Sequence, residues 1–179
     1  MGDTNCLDGK GETCLFDGRV PDLAGNPVAG ASVDVWSDNA DGFCEVQQPG
    51  IQPAGTIRNV FVTGADGHYA LVAIRPVRYP VPHDGPVGQL IAQLGRHPYR
   101  PAHVHYLVTG KGFQRLVTHT IVGGDDYLAT DAALLRECQP ALVGVMDPLR
   151  DRICQKLVTA RAACHVVLLA GGPFQTSRG

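Results

Sequence analysis

Residues 58–74 read RNVFVTGADGHYALVAI. β-Branched and aromatic residues fill both arms, and Gly64-Ala65-Asp66-Gly67 between them is a turn signal. Arms of this length with period-two patterning are strands, and two strands separated by a short glycine turn predict a β-hairpin. Upstream, Ala31, Val33 and Val35 alternate along a strand running toward Trp36, and Asp22–Pro27, with Gly25-Asn26-Pro27 inside it, is a chain reversal. Downstream, His103–Thr109 (HVHYLVT) and Phe113–Val122 read as two further strands.

The composition agrees with short strands and many turns. Gly 22 and Pro 13 together make about a fifth of the 179 residues, too many chain reversals for a protein of long helices. That length suits one domain. The formal charge is −2, which lacks the basic field a nucleic-acid binder needs, so no nucleic-acid partner is expected. No apolar run reaches the roughly 18 residues of a membrane span, so no membrane partner is expected either. The polar, acidic start MGDTNCLDGKGE has no signal-peptide pattern, and the expected compartment is the cytoplasm. Cys6, Cys14, Cys44, Cys138, Cys154 and Cys164 show no paired or zinc-type spacing and read as thiols.

Two stretches resist assignment to strands. Residues 38–56 are a polar excursion with Pro and Gly, of a length that usually serves a site or is disordered. Residues 75–88, RPVRYPVPHDGPVG, carry four prolines, each without a backbone donor, which excludes a central strand. Gln89–Leu94 suits a short helical turn, and Asp131–Cys138 a short helix. Residues 149–170 have helix-forming composition with no assignable role. The expected class is all-β, a sandwich of seven or eight strands with long active-site loops, divided as a flexible leader 1–13, a β-sandwich domain of catalytic type 14–142, and an atypical, helix-prone C-terminal tail 143–179.

The candidate chemistry centres on His103 and His105. Two residues apart on a strand, their imidazoles share one face. The pair fits a metal site or two hydrogen-bonded strand histidines. Tyr79, fixed between prolines, is either an aromatic plug or a phenolate donor. Imidazole and phenolate together suit Fe(III), because a hard trivalent ion matches an anionic oxygen. Arg100 is a charge partner on the rim or a guanidinium over a developing substrate anion. His119, on the following strand, can face the same site.

Three runs carry a resemblance: FDGRVPDLAGNPVAGASVDVWSDNADG (16–42), TGADGHYALVAIRPVRYPVPHDGPVGQLIAQLGRHPYRPAHVHYLV (63–108) and LVTHTIVGGDDYLATDA (116–132). They resemble the intradiol ring-cleavage dioxygenases, and the hydroxyquinol 1,2-dioxygenase branch most of all. The resemblance implies a β-sandwich holding non-haem Fe(III) through two tyrosines, two histidines and a hydroxide. It places the second ligand tyrosine at Tyr79, the ligand histidines at His103 and His105, and the substrate-proximal arginine at Arg100. His119 falls where catechol-cleaving members have a glutamine. The implied partners are a small aromatic diol (hydroxyquinol, catechol or chlorocatechol) and O2, and the implied product is a cis,cis-muconate-type diacid.

At the first ligand tyrosine the pattern breaks. The run Trp36-Ser37-Asp38-Asn39-Ala40-Asp41-Gly42-Phe43-Cys44 puts a cysteine there. A thiol is shorter and softer than a phenolate, so Cys44 ligates iron only if its loop moves inward. Otherwise Tyr79, His103 and His105 form a three-donor site. The family's N-terminal helical segment, used for dimerisation, is not evident before the sandwich, which weakens an expected homodimer. A non-catalytic transthyretin-like binding module shares the first half of the pattern but lacks the YPVP and RPAHVHY runs. An inactive fragment of a dioxygenase would carry all three runs. An HxH site for a different metal would need a downstream carboxylate ligand, and none is evident near the Asp125-Asp126 turn.

Overall fold

The computed structural model describes residues 10–22 and 24–133, together with the backbone of 143–144, 146–147 and 160–165. Two sheets face each other. The first runs β10 (Met146–Asp147), β11 (Ala160–His165), β1 (Thr13–Arg19), β4 (His68–Ile74). The second runs β3 (Arg58–Val62), β2 (Ser32–Trp36), β7 (His103–Thr109), β8 (Leu116–Val122), β9 (Val143–Gly144). A separate two-stranded ribbon pairs β5 (Tyr79–Pro80) with β6 (Tyr99–Arg100).

The inner faces follow from period-two patterning. Phe16, Leu71 and Tyr69 from one sheet meet Val33, Val35 and Tyr106 from the other, and none exceeds 3% exposure. Burying one such side chain contributes roughly 1.5–3 kcal/mol, which makes the interface between the sheets the main source of stability. On β7, Val104, Tyr106 and Val108 belong to this core. His103, His105 and Leu107 therefore lie on the opposite face, turned away from it.

The strands on both sides of Gly64–Gly67 exist, but they do not form the expected hairpin. β3 pairs antiparallel with β2, with Val33 opposite Phe61, and β4 pairs antiparallel with β1, with Phe16 opposite Leu71. The turn is a corner that carries the chain from one sheet to the other. Thr63 makes the corner. Its hydroxyl donates to the Val28 carbonyl at 2.7 Å and accepts from the Ala31 N–H at 2.9 Å, while its own N–H donates to the Ala31 carbonyl. These bonds tie the end of β3 to the entry of β2. Gly67 completes the turn at φ 72, where a Cβ would stand 2.9 Å from the Val20 carbonyl oxygen.

Strict all-β character does not hold, because α1 (Pro86–Gln93) is a helix of eight residues with Pro86 in its first turn. The expected turn at 89–94 thus begins earlier, where proline's fixed φ suits a helix start. The tail also departs from its helix-prone reading. Residues 160–165 form β11, parallel to β1 with Cys14 opposite Ala160, while 143–144 pairs parallel with β8 and 146–147 antiparallel with β11. The rest of the helix-prone stretch, and most of the helix expected at 131–138, lie outside the described residues. Among the described residues, no helix is long and apolar enough to cross a membrane.

Thr63→Val keeps the shape of the side chain and removes its hydroxyl, leaving a buried carbonyl and a buried N–H each short of a partner. A loss of about 2–4 kcal/mol is expected from the urea midpoint, whereas Val62→Thr, at an exposed position, shifts it by no more than about 0.5 kcal/mol.

Candidate metal and diol site

The outward face of β7 becomes a site because a loop and a ribbon fold over it. His103 is 2% exposed. Its Nδ1 lies 2.7 Å from the Pro101 carbonyl oxygen. A carbonyl only accepts, so Nδ1 carries the proton and Nε2 is left with a free lone pair. That Nε2 lies 3.0 Å from Tyr79 Oη and 3.1 Å from His105 Nε2. Donor atoms from two elements thus both meet His103 Nε2.

Each donor is held from behind. The His105 ring stacks on Trp36, its cross-strand neighbour, at 5.1 Å and 8° between planes. Arg58 lies over the Trp36 ring at 5.6 Å and forms an ion pair with Asp34 at 2.8 Å. Ser37 Oγ donates to the His103 carbonyl at 3.2 Å. Tyr79 pairs with Arg100 across the β5–β6 ribbon, and Arg100 Nη1 reaches Tyr79 Oη at 3.5 Å. Gly42, at φ 80, lets the 38–44 loop press on the tyrosine, since a Cβ there would stand 3.1 Å from Tyr79 Cβ.

The expected site residues divide clearly. Tyr79, Arg100, His103 and His105 come together. His119 stands directly opposite His105 on β8, its ring 5.8 Å from that of His103 and 6.0 Å from that of His105. Cys44 is half-buried at the start of the turn formed by Glu45–Gln47, where its backbone N–H donates to Gln47 Oε1 at 2.8 Å. Among the described residues, no three His, Cys, Asp or Glu side chains group closely enough to hold an ion, so the thiol is not gathered with the two histidines. The convergent set depends on the tyrosine oxygen.

Two carboxylates belong to the site without having been singled out from the sequence. Asp38 is 9% exposed and within electrostatic reach of Tyr79 and Arg100. Continuing the β2 alternation from Trp36 by two residues would have put it on the site's face. Asp131 is 3% exposed and meets Arg100 Nε at 3.4 Å through Oδ1. Nothing in the sequence marks it. Asp125 has a structural use: its carboxylate accepts from the Tyr127 and Ala102 N–H groups, fixing the residue before His103.

Burial and the Arg100 charge set the protonation states. Burial first, and Arg100 second, push His103 down to about 2 and His105 down to about 4. His119 is lowered for the same reasons. Burial pushes Tyr79 up to about 12, against the pull of Arg100. The cluster is therefore neutral in the absence of a cation, with imidazole nitrogens ready to donate electron pairs. A bound cation of high charge reverses the bias on Tyr79 and favours its phenolate. The donor set suits a hard metal ion.

A model of the family described as Dioxygenase matches residues 3–164. The chain belongs to the intradiol ring-cleavage dioxygenases. Hydroxyquinol 1,2-dioxygenase of Rhizobium sp. (strain MTP-10005) is 57% identical over 132 residues, covering 74% of this chain and 45% of that protein. 6-Chlorohydroxyquinol 1,2-dioxygenase of Cupriavidus pinatubonensis is 46% identical over 69% of this chain and 44% of its own length. The crystal structure of hydroxyquinol 1,2-dioxygenase from Pseudomonas putida DLL-E4 superposes with a TM-score of 0.83 at 34% identity, over 95% of this chain and 60% of that one. The chain thus spans about half the length of the curated relatives it matches. In this dioxygenase-family chain the family match runs through β11 almost to its end, so the tail strand falls within it.

The pH dependence of stability in the metal-free protein follows from these shifts, whose signs oppose. Between about pH 4 and 6 the unfolded chain carries protons on His103 and His105 that the folded chain excludes. Over the same window the folded chain keeps a proton on Asp38, pushed up to about 6 by burial, that the unfolded chain has lost. Two groups outweigh one, so stability rises with pH across this window. Urea midpoints of metal-free protein should increase from pH 4.5 to 6.5. A flat or falling series would mean that the cluster holds charge in the folded state.

Proposed function

We propose that this chain is the catalytic sandwich of a ferric intradiol dioxygenase, cleaving a 1,2-dihydroxybenzene (hydroxyquinol, catechol or a chlorocatechol) between its hydroxylated carbons with O2 to a cis,cis-muconate-type diacid. The observation that carries the proposal is the convergence of Tyr79 Oη, His103 Nε2 and His105 Nε2, with contacts of 3.0 and 3.1 Å, beside Arg100. A transthyretin-like binding module would need none of these groups to meet.

Tyr79, His103 and His105 would hold Fe(III), an ion whose hardness matches the phenolate and tolerates imidazole. Bound there, ferric iron would supply Lewis acidity that draws electron density from an aromatic diol. The protein's own groups do the rest. His103 and His105 stay neutral through burial and keep their lone pairs directed inward. Tyr79 Oη would be the base at which a proton from the diol arrives. The Arg100 guanidinium, 3.5 Å from that oxygen, steadies the phenolate first and the developing substrate anion afterwards. His119, neutral and opposite His105, faces the ring as a hydrogen-bonding group. Cys44 leaves the set one anionic donor short of the pattern the resemblance implies, and turnover below that of a tyrosine-bearing relative follows.

Protein reconstituted with Fe(III) should take up O2 with hydroxyquinol in proportion to a muconate-type product, above an iron-free control. No uptake by folded, iron-loaded protein would contradict the proposal. Cys44→Tyr should deepen the iron–phenolate colour and raise turnover. His105→Ala should lose stoichiometric iron, and its retention would remove His105 from the ligand set.

A further inference from the structure

We infer that Asp131 is a positioning residue for Arg100, fixing which edge of the guanidinium faces the reacting diol. The inference rests on the reading of the site given above and deepens it. Arg100 and Asp131 have side chains only 11% and 2% exposed, and Asp131 Oδ1 takes Arg100 Nε at 3.4 Å. The opposite edge of the same guanidinium offers Nη1 to Tyr79 Oη at 3.5 Å. A planar, rigid fork held at Nε can turn only about that contact, so its remaining N–H groups are aimed at the tyrosine and the space beside it.

Asp131 is held mainly through its backbone and its neighbours. Arg96 Nη2 donates to its carbonyl at 2.8 Å, Ala132 N–H donates to the Tyr99 carbonyl at 3.2 Å, and His97 Nε2 meets Thr130 Oγ1 at 2.7 Å. The stretch 96–99 thus clamps 130–132 from both sides and delivers the carboxylate to Arg100. Oδ1 also accepts from Ala133 N–H at 3.0 Å, whereas Oδ2 has no partner among the described residues. A buried ion pair with one carboxylate oxygen unmatched contributes little to stability. Besides accepting from the Ala133 N–H, the carboxylate orients Arg100.

The test uses the full chain and two variants, Asp131→Ala and Asp131→Asn. The Asn amide oxygen can still accept from Arg100 Nε, and the clamp on the backbone is unchanged. In metal-free protein, the Arg100 Nε–Hε signal, assigned by its loss in Arg100→Lys, should be resolved and slow to exchange in ¹⁵N–¹H spectra. It should persist in Asp131→Asn and collapse in Asp131→Ala. With iron and hydroxyquinol, Asp131→Ala should lower kcat about 10–100-fold with KM within about threefold, and Asp131→Asn should recover most of it. An Arg100 signal that exchanges equally fast in all three proteins, or an unchanged kcat in Asp131→Ala, overturns the inference. Absence of turnover in the parent protein overturns the assigned reaction instead, and the Arg100 signal then decides the positioning role by itself.

Discussion

The bond from His103 Nδ1 to the Pro101 carbonyl, 2.7 Å long, governs the rest of the site. It settles which ring nitrogen is protonated and therefore which one can donate an electron pair. With that proton fixed, Nε2 is bare, buried and within 3.1 Å of both Tyr79 Oη and His105 Nε2. Were the ring turned over, a protonated nitrogen would face the other donors and the convergence would lose its chemical meaning. Burial makes the choice durable by holding the ring neutral far below its ordinary range.

The same strand supports both the core and the site. Val104, Tyr106 and Val108 of β7 pack between the sheets, and the alternate residues His103 and His105 face outward. Stability and chemistry are thereby separated by the pleat of one strand. The outward face would be an ordinary solvated surface without its cover. That cover is the ribbon of Tyr79–Pro80 and Tyr99–Arg100, with the 38–44 loop pressed against Tyr79 at Gly42. Prolines at 76, 80 and 82 keep this segment out of the sheets and leave it free to fold back over them.

Much of this is legible in the residues. HVHYLVT gives β7 with the bounds observed, and the H-x-H spacing gives a shared face. RPVRYPVPHDGPVG lacks donors for a central strand and forms none. Partner choice is a different matter. The alternation of 58–62 and 68–74 is the same whether the two strands pair with each other or with distant neighbours, and the corner at Thr63 depends on bonds to Val28 and Ala31, some 30 residues earlier in the chain. β11 is hidden for a related reason: its parallel partner β1 lies at the other end of the sequence, and ARAACH has no strand-like alternation of its own. Asp131 is invisible because its meaning comes only from the approach of Arg100 across a loop.

Cys44 is the side chain on which the three-donor site turns. The thiol belongs to a turn capped by Gln47 and is not gathered with the histidines among the described residues, so the proposed metal-binding set is Tyr79, His103 and His105 without sulfur. X-ray absorption fine structure of the iron-loaded protein reads this directly. The expected result is a nearest shell of nitrogen and oxygen alone, unchanged in Cys44→Ser. A sulfur scatterer in that shell, lost in Cys44→Ser, would show that the loop carries the thiol to the metal and would contradict the three-donor site.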